Sequence, residues 1–259
     1  RTLAEKGYQE IVLTGIHLSS YGTDLKEEHQ DLLELTKRLH RIPGVKRIRF
    51  GSLEPRLITE KFVQELSSME KICPHFHLSL QSGCDATLKR MNRHYTCEDY
   101  LYRCGLLRKY FRNPAITTDV IVGFPGETDE EFAETKKFLE TVHFYEMHVF
   151  KYSRRAGTRA DRMRDQVPEP VKTKRSAEFL ALEKEMSKAY RASFLGKETE
   201  VLLEEPVEIG GGRDMVGHTK EYVKAAVPET GKKNCFVRGV LKEFLTDEII
   251  YLAENPDLG

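Results

Sequence analysis

A chain of 259 residues, 39% hydrophobic and 32% charged, is long enough to bury a large core without a disulfide or metal to rescue the fold. Its 41 basic and 41 acidic side chains cancel, so global electrostatics call for neither a nucleic-acid partner nor a membrane surface. Five widely spaced cysteines (Cys73, Cys84, Cys97, Cys104 and Cys235), no signal peptide and no apolar run of about 18 residues argue against a disulfide framework, secretion and membrane insertion, and predict a cytoplasmic protein with free thiols.

RTLAEKGYQEIVLTG opens in the last turns of a helix, stops at Gly7 and enters a strand at once, so further sequence is expected upstream. Runs rich in β-branched and aromatic residues predict strands at 10–14, 46–52, 75–80, 117–122 and 145–150, each separated from the next by a helical pattern. Within 31–42, Leu32, Leu35 and Leu39 share one face, and Pro43–Gly44 stops the helix. The helix predicted over 57–69 uses Phe62, Val63 and Leu66 in the same way, and Thr128 caps a helix over 129–142 with Glu131 at its N3 position. Strands that read as nearly continuous apolar runs imply a parallel, covered sheet. Five βα repeats exceed a small open unit and fall short of an eight-stranded barrel. The economical account is a partial (β/α) barrel missing its first strand, with a doubly wound sheet as the alternative.

After Tyr152 the pattern changes. Residues 151–192 carry 12 basic and 6 acidic side chains, against 21 and 22 in residues 1–150. The segment 153–171 is basic and marked by prolines, and 172–196 reads as one long helix with Phe179, Leu182, Met186, Ala189 and Tyr190 on one face and Gly196 as its C-cap. From Lys197 the period is that of strands, broken by GGG at 210–212 and ETGKKN at 229–234, which predicts a small antiparallel β-barrel or sandwich. The expected division is residues 1–168, a connecting helix over 169–195, and a β domain over 196–259.

Three polar, glycine-bearing loops follow successive strands, the usual layout of a barrel site. In ITTDVIVGFPGE (116–127) the strand ends at Val122, Gly123 and Gly126 permit unusual backbone angles, and a helix N-terminus lies just beyond. Asp119, a carboxylate within an apolar strand, needs a hydrogen-bonded or charged partner; it either contacts a ligand in the barrel mouth or holds a neighbouring loop or arginine. In LTGIHLSSYGTD (13–24), Gly15 leaves room for a ligand to reach the backbone, and His17 and Tyr21 are candidates for contact with a base. In SLQSGCDATLKRMNRHYT (79–96), Gln81 and Ser82 offer neutral donors and acceptors, while Arg90 and Arg93 could grip a carboxylate or belong to an ordinary solvated helix face.

TGIHLSSYG (14–22), GSLEP (51–55), HLSLQSG (77–83), LKRMNR (88–93), DVIVGFPGET (119–128) and FKYSRRAGT (150–158) fall in the order found in the radical SAM methylthiotransferases, which the chain resembles over residues 1–160. The tail resembles the TRAM domain that follows in that family. The resemblance implies a partial (β/α) radical SAM barrel followed by a small TRAM-like β-barrel. It also implies S-adenosylmethionine, cleaved to a 5′-deoxyadenosyl radical at a 4Fe-4S cluster, a second 4Fe-4S cluster that takes part in sulfur delivery, and a methylthio group on the product. The TGIHLSSYG loop looks most like the branch acting on N6-threonylcarbamoyladenosine at position 37 of tRNA. The branches acting on isopentenyladenosine-37 and on a ribosomal-protein aspartate are alternatives.

Carried over residue by residue, the resemblance places Gly15, Gln81, Ser82, Arg93, Asp119 and Gly123 around S-adenosylmethionine or the barrel mouth. Tyr152, Arg154, Arg155 and Arg159 fall on the substrate side. The implied partners are the tRNA anticodon stem-loop and an electron donor such as flavodoxin or ferredoxin, with the protein a monomer. The family's CxxxCxxC and the cluster cysteines of its preceding domain are absent from this sequence, so the chain by itself is expected to be inactive. Arginines 154, 155, 159, 162 and 164 could cross a phosphate backbone, whereas Lys172–Arg175 could as well dock the tail. In the tail, Lys220, Tyr222 and Lys224 form a possible RNA-facing patch, with Tyr222 or Phe236 either stacking on a base or sitting in the core. Two readings of other classes stand beside the enzyme: a non-catalytic RNA-binding module, and a metabolic barrel enzyme taking a phosphate at GFPGE.

Overall fold

The computed structural model describes residues 1–25, 31–229, 231 and 233–255. Thr230 and Lys232 of the ETGKKN turn, and residues 256–259 of the tail, lie outside the described residues. A short helix α1 (Thr2–Glu5) precedes β1 (Glu10–Leu13). The run predicted as one strand over 46–52 is two, β2 (Arg47–Phe50) and β3 (Ser52–Leu53), divided at Gly51. β2 pairs in parallel with β1, and the Gly51 N–H still bonds Leu13 O at 2.7 Å. Beyond that point β3 pairs in parallel with β4 (His75–Leu78), which pairs with β5 (Ala115–Val122), which pairs with β6 (Glu146–Lys151). The kink therefore lets one segment join two sheets.

Along this surface the strands follow one another in chain order. A doubly wound sheet reverses its order at a switch point, and none occurs here, so the partial barrel is the observed architecture. Right-handed crossovers without a reversal put all the helices on one side. These are α2 (Leu32–His40), α3 (Glu60–Ser67), α4 (Asp85–Arg90), α5 (Cys97–Tyr110) and α6 (Asp129–Val142). The cap foreseen for α6 is present as a full capping box between Thr128 and Glu131.

The expectation of a fully covered sheet needs correction. On β5, Ile116, Thr118, Val120 and Val122 are buried toward the helices, and Ile116, Val120 and Val122 share one core with Leu107, Leu139 and Val142. The opposite, concave face is polar: Glu10, Arg47, Arg49, His75, His77, Asp119 and His148 alternate with those apolar positions. An incomplete barrel has no facing strands to bury that side, so the two-residue strand period shows through.

Helix α7 (Glu169–Ala192) starts three residues before the amphipathic run read from 172, with Pro170 in its first turn, where a missing N–H costs nothing. Its Phe179 stacks on Phe132 at 4.5 Å between ring centres. Gly196 lies past the helix and serves the entry to the tail, its N–H bonding Leu241 O at 2.7 Å. The tail is a closed five-stranded barrel of β7 (Glu198–Ile209), β8 (Gly212–His218), β9 (Lys224–Pro228), β10 (Cys235–Phe244) and β11 (Ile249–Glu254), in the order β10-β11-β9-β8-β7. It is not wholly antiparallel: the β10–β11 hairpin brings the last strand alongside β9 in parallel.

The tail docks on the concave face near the N-terminal ends of the strands. Arg47, fully buried, donates to His218 O at 2.8 Å and Glu200 O at 2.7 Å. Arg49 forms a two-pronged pair with Glu10 (2.7 and 3.2 Å), donates to Lys220 O at 3.0 Å, and lies 4.6 Å from the centre of the Tyr222 ring. The chain between β8 and β9 thus closes the floor of the half-barrel.

Candidate cofactor site at the strand ends

Two cavities open at the C-terminal ends of the strands, and Arg93 lines both. The first, of about 390 Å³, is bounded by His17, Ser52, Glu54, Ser79, Asn92 and Tyr95 among others. The second, of about 670 Å³, is walled by Ile121, Phe124, Phe150, Tyr152 and Arg155. Helix α4 ends at Arg90, and Asn92 takes a left-handed φ of 58°, which carries Arg93 off the helix and into the gap between the cavities. Among the described residues its guanidinium makes no ion pair, so it is available to a carboxylate. Tyr95 is fixed behind the smaller cavity by hydrogen bonds to Ser79 O (2.9 Å) and Leu80 O (2.8 Å), and burial pushes its hydroxyl up to about 12. In the larger cavity the Tyr152 ring stands edge-on to that of Phe124, 5.2 Å between centroids, and its buried hydroxyl has no partner among the described residues. A polar chamber with an unpaired arginine, next to an apolar aromatic one with an unsatisfied hydroxyl, suits a ligand with an amino-acid end and a flat heterocycle.

Arg90 turns the other way. It pairs with Glu131 through both nitrogens, one contact at 2.9 Å, and packs beneath Gly126, so it ties α4 to the start of α6. Three residues apart in sequence, the two arginines do different jobs because the helix ends between them.

The GFPGE turn is held from behind by α7. Gly123 has a φ of +71°, and its N–H donates to Glu127 Oε1 at 2.9 Å. A side chain at Gly123 would meet Lys172 Cγ at 2.4 Å, and Lys172 itself donates to Tyr152 O at 3.0 Å. Arg175 reaches Glu127 at 2.6 Å and Asp129 at 2.7 Å. Burial raises the Glu127 carboxyl above its ordinary pKa, and the Gly123 N–H and Arg175 only partly oppose it. Neither expectation for Lys172–Arg175 is what the structure shows: both end residues grip the GFPGE turn and its flank rather than the tail or a free surface. The carboxylate that grips the turn, Glu127, carried no local signal, since its partner lies 48 positions away.

The other residues singled out from sequence are spread around this frame. Gly15 is exposed with open space beside it. Gln81, at a φ of 73°, extends β4 by exchanging backbone bonds with Asp119 O (2.8 Å) and Ile121 N (2.9 Å), and its side chain is largely buried. Ser82 is buried against Thr135, 3.2 Å away, and lines neither cavity. Asp119 lies one side-chain layer below Ile121 on the concave face, 3.4 Å from His77. Burial pushes its carboxyl up, but the His77 hydrogen bond and the charges of His77 and His148 outweigh that and leave it below its usual value. Sequence reasoning missed His77 and His148; the alternation of HFHL and EMHVF was their signal, overlooked because those strands were read as apolar runs.

Arg155, Arg159, Arg162 and Arg164 are exposed and make no ion pair among the described residues, whereas Arg154 is tied to Asp161 at 2.9 Å. The patch expected on the tail is largely consumed by docking. Tyr222 stacks on His218 (4.1 Å), its O accepts from the Tyr145 hydroxyl at 3.2 Å, and Lys220 donates to Glu70 O at 2.8 Å. Phe236 lies under Arg47 at 4.7 Å. An aromatic ring filled on both faces by its own chain has none left for a base.

All five cysteines are free, and Cys73, Cys84 and Cys104 are buried. Burial pushes Cys73 up to about 11 and Cys104 up to about 12, the reverse of what a thiolate ligand needs. Among the described residues the one group of His, Cys, Asp or Glu close enough to share a metal contains no cysteine, so the thiols of this chain do not fit an iron–sulfur cluster. No helix among the described residues is long and apolar enough to cross a membrane.

Comparison with known proteins agrees with this geometry. The Radical SAM superfamily model matches residues 1–139. The chain is 43% identical over 229 residues to the threonylcarbamoyladenosine tRNA methylthiotransferase MtaB of Bacillus subtilis, covering 88% of this chain and 51% of that protein. It is 42% identical over 204 residues to the tRNA-2-methylthio-N(6)-dimethylallyladenosine synthase of Acetivibrio thermocellus, covering 79% and 42%. The chain thus spans about half the length of these relatives. Among solved structures, the radical SAM coproporphyrinogen III oxidase HemN of Escherichia coli shares the fold, with a TM-score of 0.50 and 18% identity over 69% of this chain and 40% of that one. A half-barrel in chain order, a site at its strand ends and a family match over more than half the chain lead to one conclusion: this chain belongs to the radical SAM superfamily and is homologous to the tRNA methylthiotransferases within it.

Proposed function

We propose that this chain is the cofactor- and substrate-holding part of a tRNA methylthiotransferase that acts on N6-threonylcarbamoyladenosine at position 37. Residues 1–168 hold S-adenosylmethionine, 169–195 brace the site, and 196–259 close its floor. Arg93 takes the cofactor's carboxylate, Gly15 gives it backbone clearance, Gly123 shapes the turn that walls it, Gln81 and Ser82 set the loop that precedes α4, and Asp119 lies beneath. Ile121, Phe124 and Tyr152 receive the adenine. When bound with its cluster, the cofactor supplies the radical; the residues of this chain orient it and exclude water.

The observation that carries the reading is the unpaired Arg93 between a polar and an aromatic cavity. Relatives of both nucleoside types match at 43% and 42% identity, so the choice of threonylcarbamoyl over dimethylallyl rests on the TGIHLSSYG loop. In the intact protein, Arg93→Ala should raise the KM for S-adenosylmethionine ~10- to 100-fold, the worth of a charge-assisted pair, while tRNA affinity stays within twofold. An unchanged KM would remove Arg93 from the cofactor site. Nucleoside analysis of tRNA from cells lacking the gene decides the substrate: loss of the methylthio group from threonylcarbamoyladenosine supports the reading, and loss from dimethylallyladenosine overturns it.

A further inference from the structure

His77, Asp119 and His148 line neither cavity, yet they converge from three adjacent parallel strands of the concave face. The register sets Asp119 directly across from His148, and His77 across from Thr117. One donor atom from each of the three lies within 4.8 Å of the others. We propose that these three side chains form a binding site for a divalent first-row transition-metal ion of the zinc class.

Geometry and donor chemistry both support this. His77 Nε2 and Asp119 Oδ2 are 3.4 Å apart, about the edge of a tetrahedron around an ion ~2.1 Å from each donor. His77 Nδ1 lies 3.0 Å from the hydroxyl of the buried Thr117. An Nδ1–H donated to that oxygen leaves Nε2, which faces Asp119, as the nitrogen whose proton an ion replaces, the arrangement a metal-bound imidazole requires. The His77 and His148 rings are 5.9 Å apart, and His148 is exposed, so it can swing onto an ion without disturbing the core.

Two imidazoles and one carboxylate favour zinc, iron(II), cobalt or nickel over magnesium or calcium, which prefer all-oxygen shells. Three protein ligands on an open face leave at least one position for water or an oxygen of a bound substrate. Asp119 and His148 stand two residues before Ile121 and Phe150, which wall the larger cavity. The ion would therefore lie roughly 7 Å below that wall, facing the interior of the half-barrel.

The test is a cobalt(II) titration of the 259-residue chain, read by visible d–d absorption and by displacement with zinc. One equivalent should bind, with no thiolate charge-transfer band, because the cysteines lie elsewhere. His148→Ala, an exposed change checked by circular dichroism for an intact fold, should abolish stoichiometric binding, and Thr117→Val should weaken it about tenfold by freeing the His77 ring. No stoichiometric binding by the parent chain, or binding that survives both His148→Ala and His77→Ala, would overturn the proposal and leave His77–Asp119 as a simple ion pair.

Discussion

Gly123 shows how one residue fixes the position of a site. With φ at +71° and Lys172 Cγ where a Cβ would stand, Gly123→Ala meets both a backbone and a packing penalty. A loss of about 2–3 kcal/mol in denaturant unfolding is expected, and adding Lys172→Ala should recover the packing share but not the ~1 kcal/mol owed to the backbone. Arg175 is the second such residue. Because burial already raises the pKa of Glu127, this carboxyl favours the folded state below the ordinary carboxylate pKa, and that contribution is lost as pH rises through its raised value. Arg175→Met leaves the charge buried and unpaired, so the destabilisation, about 3–5 kcal/mol at neutral pH, should shrink on acidification; a pH series of denaturant midpoints measures it. A pH-independent loss would mean that Arg175 acts through packing alone. The Arg90 and Arg93 pair makes a related point: helical spacing puts both on one face, and the left-handed Asn92 sends one to α6 and the other to the cavities.

At the level of elements, the segment between β8 and β9 explains why β2 contains two arginines. RIRF looks like a poor core strand until Arg47 and Arg49 are seen donating to carbonyls of residues 218–220, with Tyr222 laid across Arg49. The tail barrel is thus bound to the half-barrel by satisfied hydrogen bonds and stacked rings. Tyr222→Ala should cost about 2–3 kcal/mol and reduce hydrogen-exchange protection in residues 218–223, with tRNA affinity nearly unchanged. A variant of normal stability that binds tRNA weakly would instead return Tyr222 to an RNA-stacking role. The strands form where the β-rich runs predict them, but the expectation of a covered sheet fails in a related way: the alternation is present in HFHL and EMHVF, and an incomplete barrel leaves the polar half of these two strands less buried.

Over the whole molecule a formal charge of zero hides an uneven surface. Arg155, which lines the larger cavity, and Arg159, Arg162 and Arg164 after it stand exposed and without an ion pair among the described residues, in a segment otherwise tied down through Arg154 and Asp161. If they cross a tRNA backbone, replacing Arg155, Arg159 and Arg162 by alanine should lower the slope of log affinity against log salt by up to about 3 and weaken binding to all tRNAs alike. Fluorescence anisotropy at several salt concentrations measures both, and an unchanged slope would place the RNA elsewhere.

The sequence by itself determined whatever has a local cause. The βα alternation, the Thr128 capping box, the amphipathic faces of α2 and α3 and the switch to strand periodicity after Lys197 all follow from neighbours within a few positions, which is the range over which backbone propensity and side-chain period act. The tertiary structure alone decided which polar groups meet. Glu127 finds Arg175, Arg47 finds the carbonyl of His218 from 171 positions away, and His77, Asp119 and His148 come together from three strands. Such pairings are set by sheet order, register and docking, and no local periodicity encodes the distance between two elements.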